Sequence, residues 1–133
     1  MTPIGYQWWA LLPTDPEPAT GEAALQNPPM LTVLALDPHA SLVFHFTRQP
    51  GPLQVAVEVT SLSAENHGGQ VLGAYTGNDP ARLGHAQRSD WQLHQDGLYT
   101  VLAATVSDVG NYLKLRLEEP GTLIVNRIDF TRP

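Results

Sequence analysis

Leu53-Gln54-Val55-Ala56-Val57-Glu58-Val59-Thr60 is the stretch that decides the fold. Leu53, Val55, Val57 and Val59 fall on one face, and Gln54, Glu58 and Thr60 on the other. A period of two built on β-branched residues marks a strand buried on one side. Tyr112 to Glu118 repeats the pattern: Leu113, Leu115 and Leu117 inward, with Tyr112, Lys114, Arg116 and Glu118 outward. Between and around these two segments lie further short apolar runs: Leu31–Leu36, Leu42–Phe46, Gln70–Tyr75, Trp91–His94, Leu98–Val106 and Leu123–Phe130. Turn signals separate them: Asp37-Pro38, Gln49-Pro50-Gly51-Pro52, Asn66-His67-Gly68-Gly69, Asp96-Gly97, Asp108-Val109-Gly110-Asn111 and Pro120-Gly121.

No segment places apolar residues at helical spacing over three turns. Eight strands, with a ninth at Gln7 to Leu12, therefore predict an all-β domain: two antiparallel sheets in a jelly-roll sandwich. Residues 13–29 carry Pro13, Pro16, Pro18, Gly21, Pro28 and Pro29. Proline lacks a backbone donor, so this stretch is expected to be a long surface loop. A second polar loop is expected from Thr76 to Asp90.

The chain has 133 residues, 42% hydrophobic and 15% charged. That suits one domain, residues 1–133, with its own core. Cysteine is absent, which excludes disulfides, thiolate metal sites and cysteine nucleophiles. The net charge of −6 argues against nucleic acid or an anionic membrane as partner unless the few arginines cluster. No apolar run approaches the roughly 20 residues of a membrane helix, and the first ten residues lack a signal peptide's basic start. A soluble, cytoplasmic protein is the expectation, either whole or one domain of a larger chain.

Catalytic patterns are sparse. No Gly-x-Ser-x-Gly occurs, and the serines sit at strand ends or turns. Glu118 and Glu119 are chain neighbours, which in a strand point to opposite faces, so they read as solvated groups rather than a catalytic pair. His39, His45, His67, His85 and His94 contain no His-x-His. A cupin-like metalloenzyme is thus a second alternative, dependent on the fold bringing histidines together.

The aromatic residues carry the more specific reading. Trp8 and Trp9 are adjacent, so an extended backbone sends them to opposite faces, one to the core and the other to a partner or to solvent. Trp91, flanked by Arg88, Asp90 and Gln92, is open to the same two readings. An exposed indole beside planar polar groups suits the apolar C–H face and the hydroxyls of a sugar ring. The expected ligand-binding set is Trp8, Trp9, Tyr75, Trp91 and the polar groups Asn78, Asp79, Arg88, Asp90 and Gln92. In the last strand, Ile124, Ile128 and Phe130 inward would carry Asn126 inward too, unless Asn126 marks a bulge. Arg127 and Asp129 are placed to pair with each other.

The second half, with its Trp-containing short strand, Asp-Gly turn, long strand and closing Tyr112–Phe130 segment, resembles galactose-binding-like β-sandwiches, among them many carbohydrate-binding modules. The resemblance spans residues 30–132. It implies a non-catalytic domain that recognises a glycan on a sheet face or in end loops. Some such domains hold a structural calcium, and Asp129 stands near the place of one ligand. Residues 1–14 contain no acidic partner, so the expectation is no cofactor. The alternative is an assembly module that contacts its own copy or another subunit.

Overall fold

The computed structural model describes residues 2–12, 34–36, 39–61, 71–97, 99–118 and 123–133, with the backbone alone at 2, 8–11, 34–36, 61 and 96. The expected loop at 13–29, residues 31–33, His67 and the Pro120-Gly121 turn lie outside the described residues. Every regular element among the described residues is a strand: β1 (Thr2–Pro3), β2 (Gln7–Leu12), β3 (Leu34–Leu36), β4 (Ser41–His45), β5 (Gly51–Ser61), β6 (Leu72–Gly77), β7 (Gly84–His85), β8 (Gln92–Asp96), β9 (Tyr99–Val109), β10 (Tyr112–Leu117) and β11 (Leu123–Arg132). β7 lies within the stretch expected to be a loop.

All strand pairings among the described residues are antiparallel. The first sheet runs β1-β11-β5-β9-β8, with β3 also on β11; the second runs β2-β4-β10-β6-β7. β1 pairs with the end of β11 at Thr131 and Arg132, and β3 with its start at Leu123 to Val125. The two alternating segments each lie inside a sheet: β5 between β11 and β9, β10 between β4 and β6. The Asp96-Gly97 turn joins β8 to β9, with Gly97 at φ 63°, a left-handed conformation that glycine adopts without a Cβ clash.

The core fills the space between the sheets. Leu53, Val55, Val57, Val59, Leu102 and Phe130 from the first sheet meet Leu42, Phe44, Leu72, Leu113, Leu115 and Leu117 from the second. Phe44 of β4 packs edge-on against Phe130 of β11, ring centroids 5.0 Å apart. Tyr6, on the segment that crosses from β1 to β2, contacts both rings at 5.3 and 5.0 Å. Edge-to-face aromatic packing adds about 0.5–1.5 kcal/mol per pair beyond burial. The architecture is therefore all-β, two-layered and sandwich-like.

The inward set of β11 differs from the even-numbered run. Leu123 and Val125 are buried at its start, Ile128 and Phe130 at its end. The change of phase comes from register: Ile124 pairs with Ser61 and Val125 with Val59, then Arg127 pairs with Glu58. Thr60 and Asn126 are each left out of the ladder, one on each strand, and the Asn126 amide donates to the Thr60 hydroxyl. Asn126 thus sits at a bulge and is only half-buried.

Candidate functional site

β10 positions the site. Its leucines face the core, so Tyr112, Lys114 and Arg116 project from the opposite face of the second sheet. A solvated face was the expectation. Instead Lys114 is 0% exposed and Arg116 6%, and their neighbours Ser41, Val43 and Tyr75 are buried as well. The outer face of this sheet is closed around charged groups, which need polar partners when taken from water.

A connected set supplies them. Arg116 donates from Nη1 to Glu118 Oε2 at 2.5 Å, and its Nη2 lies 2.7 Å from His39 Nδ1. Tyr75 donates its hydroxyl to Glu118 Oε1 at 2.9 Å. Lys114 Nζ lies 5.3 Å from the centre of the Tyr75 ring, within cation–π range. Glu118, expected to be solvated, is therefore fixed from both carboxylate oxygens; Glu119 lies outside the described residues.

Backbone geometry makes room for this set. Gly73 pairs with Arg116 across β6 and β10. A Cβ at Gly73 would lie 2.6 Å from Glu118 Oε1 and 2.9 Å from the Tyr75 hydroxyl. His39 takes φ 67°, a left-handed conformation that costs a non-glycine residue about 1–2 kcal/mol. Its amide donates to Leu117 O at 2.9 Å, which holds its ring beside Arg116.

The network opens at the β6–β7 edge into a cleft of about 680 Å³, bordered by Gly73, Tyr75, His85, Gln87, Arg88 and Glu118. β7 pairs His85 with Tyr75, and the rings lie 4.8 Å apart at 50°. His85 and Gln87 are exposed. Arg88 donates to Ser89 O at 3.0 Å and stands 5.7 Å from the centre of the Trp91 ring. Burial lowers the Arg88 pKa, an effect partly offset by Asp90 and then Tyr75. The cleft thus presents a flat imidazole, an amide, a guanidinium and an anchored carboxylate.

The expected ligand-binding set is dispersed. Tyr75 and Arg88 meet at this cleft, but Tyr75 is buried and its hydroxyl is engaged. Trp91 is no rim platform: it is 2% exposed and donates its indole N–H to Leu72 O at 2.8 Å. Asn78 is at the opposite end of β6, where its Oδ1 accepts from Gln49 and from the Asn111 amide. Asp79 accepts from the Ala81 amide and lies 4.0 Å from Arg82. Asp90 and Gln92 are exposed, Gln92 on β8 opposite Ala103. Trp8 pairs in register with Phe44, and the ladder shifts between Trp8 and Ala10, at Trp9; both indoles lie outside the described side chains. Gly73, Gln87 and Arg116 were not singled out as ligand groups; His39 and His85 were named only among the histidines a metal site would need, and Glu118 only as a solvated carboxylate. Only the shared face of Lys114, Arg116 and Glu118 was visible in the sequence.

Other expectations resolve locally. Arg127 pairs with Asp129 at 2.9 Å, so the carboxylate considered for calcium already has a cationic partner. His45 stacks on Tyr112 at 4.9 Å, and His94 is exposed on β8. Among the described residues, no three His, Asp or Glu side chains gather as metal ligands. A scan against protein-family models, a search of curated proteins and a search of solved structures each found no match to this chain.

Proposed function

We propose that this chain is a non-catalytic glycan-binding module, a jelly roll of the galactose-binding-like kind, whose recognition site is the cleft beside Tyr75 and His85. The strand pairing supports the jelly roll: β3 with β11, β4 with β10, β5 with β9 and β6 with β7. With β1, β2 and β8 as additions at the sheet margins, early strands pair with late ones inward to β6 and β7, as in a long hairpin rolled onto itself.

The observation that carries the glycan reading is the cleft's composition. A sugar offers an apolar C–H face and several hydroxyls. The exposed His85 ring, backed by Tyr75, offers a flat surface, while Glu118, Arg88 and Gln87 offer directed acceptors and donors. Glu118 is held by Tyr75 and Arg116 before any ligand arrives, so little ordering is needed on binding. The test is a glycan array followed by calorimetry, comparing the wild type with His85→Ala and Gln87→Ala. Both side chains are exposed, so the variants should keep their fold. At least one neutral saccharide should bind, and each variant should weaken it about tenfold, near 1.4 kcal/mol. No neutral binder, or unchanged affinity in both variants, overturns the reading.

One other feature favours the assembly alternative. Leu93 and Tyr99 are exposed large hydrophobics on β8 and β9, where β8 is the outer strand of its sheet. A dimer in light scattering that Leu93→Glu dissolves would support that reading over the glycan one.

A further inference from the structure

The chain has seven Lys and Arg residues against 13 Asp and Glu, so an arginine without a carboxylate partner is conspicuous. Arg82, Arg116 and Arg127 pair with Asp79, Glu118 and Asp129. Arg88 lies over Trp91, and Lys114 beside Tyr75. Arg48 and Arg132 have no ion pair among the described residues. Arg48 lies just beyond β4 of the second sheet, and Arg132 ends β11 of the first. Both are exposed, and both line one cleft of about 550 Å³ at the end of the sandwich.

The remaining walls fit the same chemistry. The segment from Pro3 to Gln7, crossing between the sheets, forms one side, and His45, stacked on Tyr112, forms part of another. No described lining residue is acidic. Two guanidinium groups lining one opening, with no described acidic side chain beside them, make its potential positive and favour an anion there. A guanidinium's planar fork of donors matches a carboxylate or sulfate. A volume of this order lies in the range of small-ligand sites.

We propose that this cleft is a second binding site, which takes an acidic saccharide through its carboxylate or sulfate group. The oxyanion rests on Arg48 and Arg132; the sugar part rests on the glycan reading above. In a chain that is net acidic, the site selects such a ligand by local charge rather than by overall attraction.

The experiment is calorimetric titration of the intact protein with a galacturonate oligosaccharide, a sulfated disaccharide, a neutral oligosaccharide and inorganic sulfate. The proteins are the wild type, Arg48→Gln, Arg132→Gln, the double arginine variant and His85→Ala; all three side chains are exposed, so folding should be retained. An acidic saccharide should bind the wild type, about tenfold more weakly in each single variant and about a hundredfold in the double variant. Its affinity should also fall as ionic strength rises from about 0.01 to 1 M, where the screening length shrinks from about 30 to 3 Å. Failure of both acidic saccharides to bind, or equal binding by the double variant, overturns the proposal. Inorganic sulfate binding as tightly as the saccharides would overturn the sugar part. Neutral binding that His85→Ala weakens and the double variant leaves intact separates the two clefts, so either can fail alone.

Discussion

Arg116 and Glu118 offer a direct measure of the charge closed into the second sheet. Their side chains are 7% and 29% exposed and meet at 2.5 Å. Removing one partner of a fully buried pair costs about 3–5 kcal/mol, because the other charge is left uncompensated; an exposed pair is worth about 0–1 kcal/mol. This pair lies between those limits, nearer the buried one on the arginine side. Glu118→Gln keeps the side-chain length and can still accept from Tyr75, but leaves Arg116 without its carboxylate; a loss of about 2–3 kcal/mol is expected. Arg116→Met strands the less buried partner, which keeps the Tyr75 bond and reaches water, and should cost about 1–2 kcal/mol. The double variant strands neither charge, so its loss should fall short of the sum by at least about 1 kcal/mol. Urea unfolding at neutral pH, with slopes checked for constancy, measures all four proteins. Losses additive within about 0.5 kcal/mol would refute the claim that the closed face depends on this pair.

Two further outcomes follow from neighbouring groups. Trp91→Phe removes the donor to Leu72 O and leaves a buried carbonyl unsatisfied beside a cavity; a loss of about 2–4 kcal/mol is expected in thermal or urea unfolding. A change below about 0.5 kcal/mol would place the indole in solvent after all. Burial raises the Tyr6 pKa, with Asp129 adding to the rise and Arg127 partly opposing it. The native state then keeps this proton longer than the unfolded chain, so its contribution is complete below about pH 10 and is lost as pH climbs through the folded value. Tyr6→Phe should flatten the decline of Tm above about pH 10; identical alkaline slopes would contradict the raised pKa.

The site was partly legible and partly not, for reasons visible at single residues. Alternation over Tyr112–Glu118 placed Lys114, Arg116 and Glu118 on one face, but a repeat of two says nothing of what lies over that face. The Arg116–His39 contact joins residues 77 apart, and no local spacing signals it. The polar neighbours of Trp91 suggested a rim, yet its indole finds an acceptor on β6, across the sandwich. Asn126 was ambiguous because its role depends on the register between β11 and β5, which each strand alone leaves open.

By itself, then, the sequence determined that this chain makes strands, where most of them turn, and which leucines and valines fill the interior. Those are properties of short stretches, governed by backbone geometry and the aversion of apolar groups to water. Only the tertiary structure decided which strands became neighbours, which charged side chains were closed away from water, and which arginines were left to face one cleft. Each of those outcomes depends on groups far apart in the chain meeting at a few ångströms, where hydrogen bonds and charge pairing set the balance.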